Sequence, residues 1–159
     1  MSRYRVIVEI DAPRERVFDL WIDLTRMREW VGGVTSVTDV IGPPDMAGSR
    51  YIVHFGPMKS PTEVLVAERP HVFRTRFGTW LLRGESEATF EDLGGRTRLT
   101  QDLRVVGVVS RIAARVFASG RYKGSFRGEL EAFKAIAERE ASAGVAGVTD
   151  TGISGGRGP

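Results

Sequence analysis

The sequence predicts an α+β domain in which a seven-stranded curved antiparallel sheet wraps around a long C-terminal helix, with two short helices between the first and second strands. Three observations carry this. The hydrophobic period switches from two to about 3.6 residues across one Asp-Ala-Pro corner, residues 11–13. Six short segments of alternating polarity then follow in series, each closed by glycine or proline turn chemistry. A single long amphipathic stretch comes last.

Taken in order, Tyr4, Val6, Val8 and Ile10 alternate with polar neighbours as in a strand with one buried face. Asp11 offers a side-chain cap, and Pro13 suits the first helical position, where a missing N–H costs nothing. Val17, Phe18, Leu20, Trp21 and Leu24 fall at helical spacing, and Met27, Trp30 and Val31 continue it after a break at 23–25, which predicts two short helices in tandem. The strands that follow are expected at 34–41, 50–55, 62–68, 71–77, 80–90 and 96–106. They are punctuated by Gly42-Pro43-Pro44-Asp45, Gly56-Pro57, Pro70, Gly78-Thr79 and Asp92-Leu-Gly-Gly95. Alternation places His71, Phe73, Thr75 and Phe77 on one face, with Trp80, Leu82, Ser86, Ala88 and Phe90 in the next strand and Leu99, Gln101, Leu103 and Val105 in the last. Arg74, Arg76, Glu85, Glu87, Arg98 and Asp102 take the other, wet face.

The final helix is expected over about 110–140, with Ile112, Val116, Tyr122, Phe126, Leu130, Phe133 and Ala137 in one stripe against the sheet. Gly120, Gly124 and Gly128 interrupt it and predict a kink near Ser119-Gly120 with close backbone approach beyond. A glycine-lined dimer seam is the alternative, so a monomer or weak homodimer is expected. Residues 1–141 therefore form one domain, and the glycine-rich residues 142–159 a disordered tail.

Bulk properties narrow the function classes. Hydrophobic residues make up 42% of the 159-residue chain and charged residues 27%, as in ordinary globular proteins. Cysteine is absent, which removes disulfides, thiolate metal sites and cysteine nucleophiles. No apolar run spans a bilayer and no secretory hydrophobic segment opens the chain, so a cytoplasmic protein without an integral membrane segment is expected. The net charge is only +3, with arginines offset by acids along most of the length, and no nucleic-acid partner is expected. The sequence lacks a three-ligand metal cluster, a Gly-x-Ser-x-Gly elbow, a Walker loop and a dinucleotide fingerprint, so no metal and no other cofactor is expected.

The order of elements resembles the helix-grip fold of the START-like, or SRPBCC, superfamily, which includes Bet v 1-type proteins and bacterial polyketide cyclase/dehydrase-like proteins. The likeness rests on Val8-Glu-Ile-Asp-Ala-Pro-Arg-Glu-Arg-Val-Phe-Asp-Leu-Trp21, on Leu24-Thr-Arg-Met-Arg-Glu-Trp30 and on Gly128-Glu-Leu-Glu-Ala-Phe-Lys-Ala-Ile136, and it covers residues 3 to about 140. All three are packing motifs, so they carry fold further than function. The resemblance implies a cavity between sheet and C-terminal helix that accepts a hydrophobic or amphipathic small molecule: a lipid, a polyketide or an aromatic. Two alternatives are a polyketide cyclase or aromatase-like enzyme, working by positioning with weak acid–base help, and a protein-interaction module.

The sequence offers a wall for such a cavity. Phe55, Phe73, Phe77, Trp80, Phe90, Tyr122, Phe126 and Phe133 supply aromatic area, Tyr51 and Tyr122 add hydroxyls that can hydrogen-bond a ligand, and Thr75, Ser86 and Gln101 are polar exceptions on the apolar face. His71, at the start of a strand, is expected near the cavity mouth, and His54 on the opposite face of its own strand. Arg115 projects near Phe126 and Phe133. A buried guanidinium there needs an anion, such as a ligand carboxylate or phosphate, unless its stem snorkels to the groove edge.

Overall fold

The computed structural model describes residues 2–79, 83–107 and 126–149. Seven strands, β1 (Ser2–Ile10), β2 (Ser36–Ile41), β3 (Arg50–Phe55), β4 (Met58–Glu68), β5 (Val72–Gly78), β6 (Arg83–Asp92) and β7 (Thr97–Val106), form one antiparallel sheet in the order β1-β7-β6-β5-β4-β3-β2. Helix α1 (Arg14–Ile22) and a one-turn 3-10 helix (Met27–Glu29) stand between β1 and β2, and helix α2 (Phe126–Thr149) closes the described chain. This is the helix-grip α+β architecture expected from the sequence.

Period-two burial drives β1. Val6, Val8 and Ile10 are buried while Arg5, Ile7 and Glu9 are exposed. In α1 the buried residues are Val17, Phe18, Leu20 and Trp21, as the helical spacing requires. The cap differs from expectation: Pro13 is itself the N-cap, in extended conformation and with no side-chain bond, and its carbonyl accepts from Val17 N–H at 3.1 Å. The β6–β7 hairpin turns as its chemistry predicts. Asp92 Oδ1 accepts from the N–H groups of Gly94 and Gly95, both at positive φ, at 2.9 and 3.2 Å.

β4 begins four residues before the expected position, because Phe55 pairs with Met58 across a tight Gly56-Pro57 turn. Pro61 is tolerated there, since β5 pairs with β4 only from Thr62 onward. The long helix corrects the expected tail boundary. Residues 142–149 are helical, and Ala141 is buried while Arg16 of α1 lies over Gly144, so packing against α1 continues beyond residue 141. The kink at Ser119-Gly120, together with Gly120 and Gly124, lies outside the described residues, as do residues 150–159.

One aromatic cluster holds the two layers together. Phe133 of α2 meets Trp21 at 5.1 Å and Trp30 at 5.0 Å, edge to face, and the two tryptophans stack at 4.6 Å. Phe18 meets Phe90 at 5.2 Å and Phe73 at 6.3 Å. Three carboxylates of α2 tie it to residues 11–32. Glu138 accepts from Asp11 N–H at 3.0 Å, Glu140 from Arg26 at 2.5 Å and Glu129 from Gly32 N–H at 2.9 Å.

The convex face carries charges in register. Arg74 pairs with Glu87, Arg76 with Glu85, Arg98 with Glu9 and Glu91, and Arg5 grips Asp102 through two hydrogen bonds of 2.8 and 2.9 Å. That grip holds the Asp102 carboxyl below its ordinary range. Exposed pairs of this kind, screened by water, contribute little to stability. They mark a solvated face more than a source of stability.

Candidate functional site

The concave face of the sheet is the candidate site, and strand register decides which side chains meet there. Thr75 of β5 lies directly opposite Ser86 of β6, and Ser86 lies opposite Leu103 of β7. Gln101, one inward position along β7, reaches Ser86 diagonally, with Nε2 donating to Oγ at 3.1 Å. The three polar exceptions read from the sequence are thus neighbours. Among the described residues Gln101 Oε1 is buried without a hydrogen-bond partner, and the side chains around this group on the same face are apolar: Val64, Ala88, Val6 and Phe73.

Tyr51 of β3 extends the polar group along the face. It is buried and stands opposite Thr62 of β4, and burial pushes its phenol pKa well above the ordinary value, so the hydroxyl stays protonated near neutrality. Thr62 escapes the sequence reading, although it is the inward residue two before Val64 and its polarity marks it. Phe55 is half-buried against Gly33, and Phe126 is half-buried at the edge of the core. Phe73 packs on Phe18 inside the aromatic cluster. Trp80, Arg115 and Tyr122 lie outside the described residues.

His71 lies in the turn just before β5 rather than in the strand. It is exposed at the end of the sheet that α1 covers, and its Nδ1 lies 3.1 Å from Arg14 Nη1. A guanidinium can only donate, so Nδ1 is the acceptor in this contact. His54 lies on the outer face as expected, 2.7 Å from Thr38 Oγ1.

Phe77 reaches inward over Gly84, a strand glycine with a steric reason. A Cβ at Gly84 would come within 2.7 Å of Phe77 Cζ and collide with the Arg104 carbonyl oxygen, which the β6–β7 ladder fixes. Gly84→Ala is expected to lower stability by about 1–3 kcal/mol. Thermal unfolding checks this, and an unchanged Tm would show that the ladder yields without cost.

The carboxyl of Glu129 is a site feature that the sequence reading passes over. It lies between Phe126 and Phe133 in the α2 stripe, so its spacing alone could have flagged it. Burial pushes its pKa up to about 7, against the opposing pull of the Gly32 N–H that it accepts. A carboxyl so tuned can hold or release a proton near neutrality.

Two grooves lie elsewhere, and neither is lined by a residue of the predicted site. One, of about 240 Å³, runs beside the edge strand β2 and is lined by Leu24, Arg28, Val34 and Val37 among others. The other, of about 300 Å³, follows the seam between α1 and α2. Its charged residues are largely ion-paired, Arg26 with Glu140 and Asp19 with Arg69. Among the described residues no cluster of three or more His, Asp or Glu could hold a metal ion, and no helix is long and apolar enough to cross a membrane.

The family model described as "Polyketide cyclase / dehydrase and lipid transport" matches residues 1–138. The chain belongs to this family. Its sheet, short helices and C-terminal helix are the family's helix-grip elements. Solved structures agree on the fold. A protein from Thermobifida fusca superposes with a TM-score of 0.68 at 15% identity, over 87% of this chain and 95% of that one. The protein CV1439 from Chromobacterium violaceum gives 0.65 at 16%, over 87% and 99%. Norcoclaurine synthase from Thalictrum flavum gives 0.62 at 8%, over 85% of each chain. At such identities the likeness is one of fold. No curated protein matches the chain.

Proposed function

We propose that this protein binds a hydrophobic or amphipathic small molecule, a lipid, polyketide or aromatic, between the concave face of the sheet and the C-terminal helix. The observation that carries the reading is the Thr75, Ser86 and Gln101 group, set in an otherwise apolar face with its hydrogen bonding incomplete. An unpaired buried amide end costs about 1–3 kcal/mol, which a solid core would avoid by using an apolar side chain of the same shape. Ligand sites tolerate that cost, because a few convergent polar groups in an apolar wall fix a ligand's orientation. Family membership supports the same reading.

Native mass spectrometry of gently purified protein, followed by solvent extraction, tests it. A defined bound molecule of this class is the expected result. A clean apo mass, together with no thermal shift across a hydrophobic library, would refute the proposal.

Glu129 favours a second reading, an enzyme of the polyketide cyclase or aromatase kind. A carboxyl with a pKa near 7 suits a general acid or base, and a reactive polyketone needs little more than folding and modest proton transfer. Under this reading Glu129→Gln leaves the bound molecule in place and abolishes its conversion. Equal conversion by both proteins would remove Glu129 from the chemistry.

A further inference from the structure

Charge is segregated across this sheet. The convex side carries the ion pairs of Arg5, Arg74, Arg76 and Arg98, whereas the described inward positions of β3 to β7 hold no ionisable group other than the Tyr51 phenol, itself pushed toward its neutral form. An anionic ligand placed against such a face would lose its hydration and find no cation among the described strand positions in return, a cost of several kcal/mol. Neutral, mostly apolar molecules avoid it.

The Gln101 amide narrows the class further. Gln101 is 8% exposed, and Ser86 Oγ satisfies one end of its amide while the other has no partner. With the nitrogen turned to Ser86, the free end is an acceptor; with the amide rotated, it is a donor. A hydroxyl both donates and accepts, so it can complete the amide in either orientation. A ketone or an ether can only accept. Thr75, in register with Ser86, offers a second hydroxyl to the same polar group.

We infer that the occupant of this site is an uncharged, largely apolar molecule bearing a hydroxyl, phenolic or alcoholic, and that the Gln101–Ser86 pair receives that hydroxyl. This rests on the small-molecule reading above. It runs against a carboxylate or phosphate ligand held by Arg115.

Three probes on one skeleton test it with the full chain at pH 7: naphthalene, 2-naphthol and 2-naphthoate, titrated by calorimetry or tryptophan fluorescence. 2-Naphthol is expected to bind about fivefold to tenfold tighter than naphthalene, the worth of one net hydrogen bond, with 2-naphthoate the weakest. Gln101→Leu, which removes the unpaired amide, is expected to fold at least as stably and to erase the advantage of 2-naphthol over naphthalene. Ser86→Ala, a smaller change, should reduce the same advantage. Equal affinity for naphthol and naphthalene would overturn the inference and leave the cavity reading standing, as would tightest binding of the naphthoate, the signature of a cation at the ligand. Failure of all three probes, naphthalene included, would overturn both.

Discussion

Phe133→Ala is expected to cost about 3–5 kcal/mol, a large part of the roughly 5–15 kcal/mol that keeps a domain of this size folded. Phe133 is fully buried, and its ring is the shared contact of Trp21 and Trp30, which themselves pack on each other. Removing it leaves a void bounded by two rigid indoles, which hold each other and, for Trp21, Phe90, so neither can collapse into the space without breaking its other ring contacts. The loss also falls on the junction between α2 and the α1 region, so α2 should loosen before the sheet does. Urea unfolding followed by tryptophan fluorescence reads both effects, because Trp21 and Trp30 report on this cluster. A loss below about 1 kcal/mol would show that the cluster repacks freely.

Glu129 gives the second large effect, and it depends on pH. Its pKa rises on folding from the ordinary 4.5 to about 7, so between these values the folded chain holds a proton that the unfolded chain has released. Stability from this group therefore falls as pH rises from about 4.5 through 7, and above 7 the full cost of burying the charge applies. Glu129→Gln stays neutral throughout and keeps an oxygen for the Gly32 N–H. The variant should match the wild type near pH 4.5 and exceed it by about 2–3 kcal/mol at pH 8. Unfolding curves at pH 5, 6, 7 and 8 for both proteins check this. Parallel pH profiles would mean that solvent reaches the carboxyl and that its titration is ordinary. Neutrality at this position also bears on function, since a carboxyl poised near 7 serves acid–base chemistry only if folding does shift it.

Much of the molecule is legible residue by residue. The alternation of Val6, Val8 and Ile10, and of Leu99 and Gln101, assigns the inward face from sequence, and Val17, Phe18, Leu20 and Trp21 assign the buried stripe of α1. Positions fail where a neighbour from another element intervenes. His71, expected to begin its strand, lies in the turn just before β5, exposed beside Arg14 of α1 and outside the polar group. Ala141 and Gly144 extend α2 past the expected tail boundary because α1 supplies a surface to pack on, which no local composition records.

By itself the sequence determined the element order, the inward face of each strand and the family's helix-grip arrangement, because periods of two and 3.6 residues are local properties of the backbone. The tertiary structure alone decided that Thr75, Ser86 and Gln101 meet, that one end of the Gln101 amide goes unpaired, and that Glu129 is buried deeply enough to hold its proton toward neutrality. Those facts follow from strand register and from desolvation by distant neighbours, and both are set only when residues far apart in the chain are packed together.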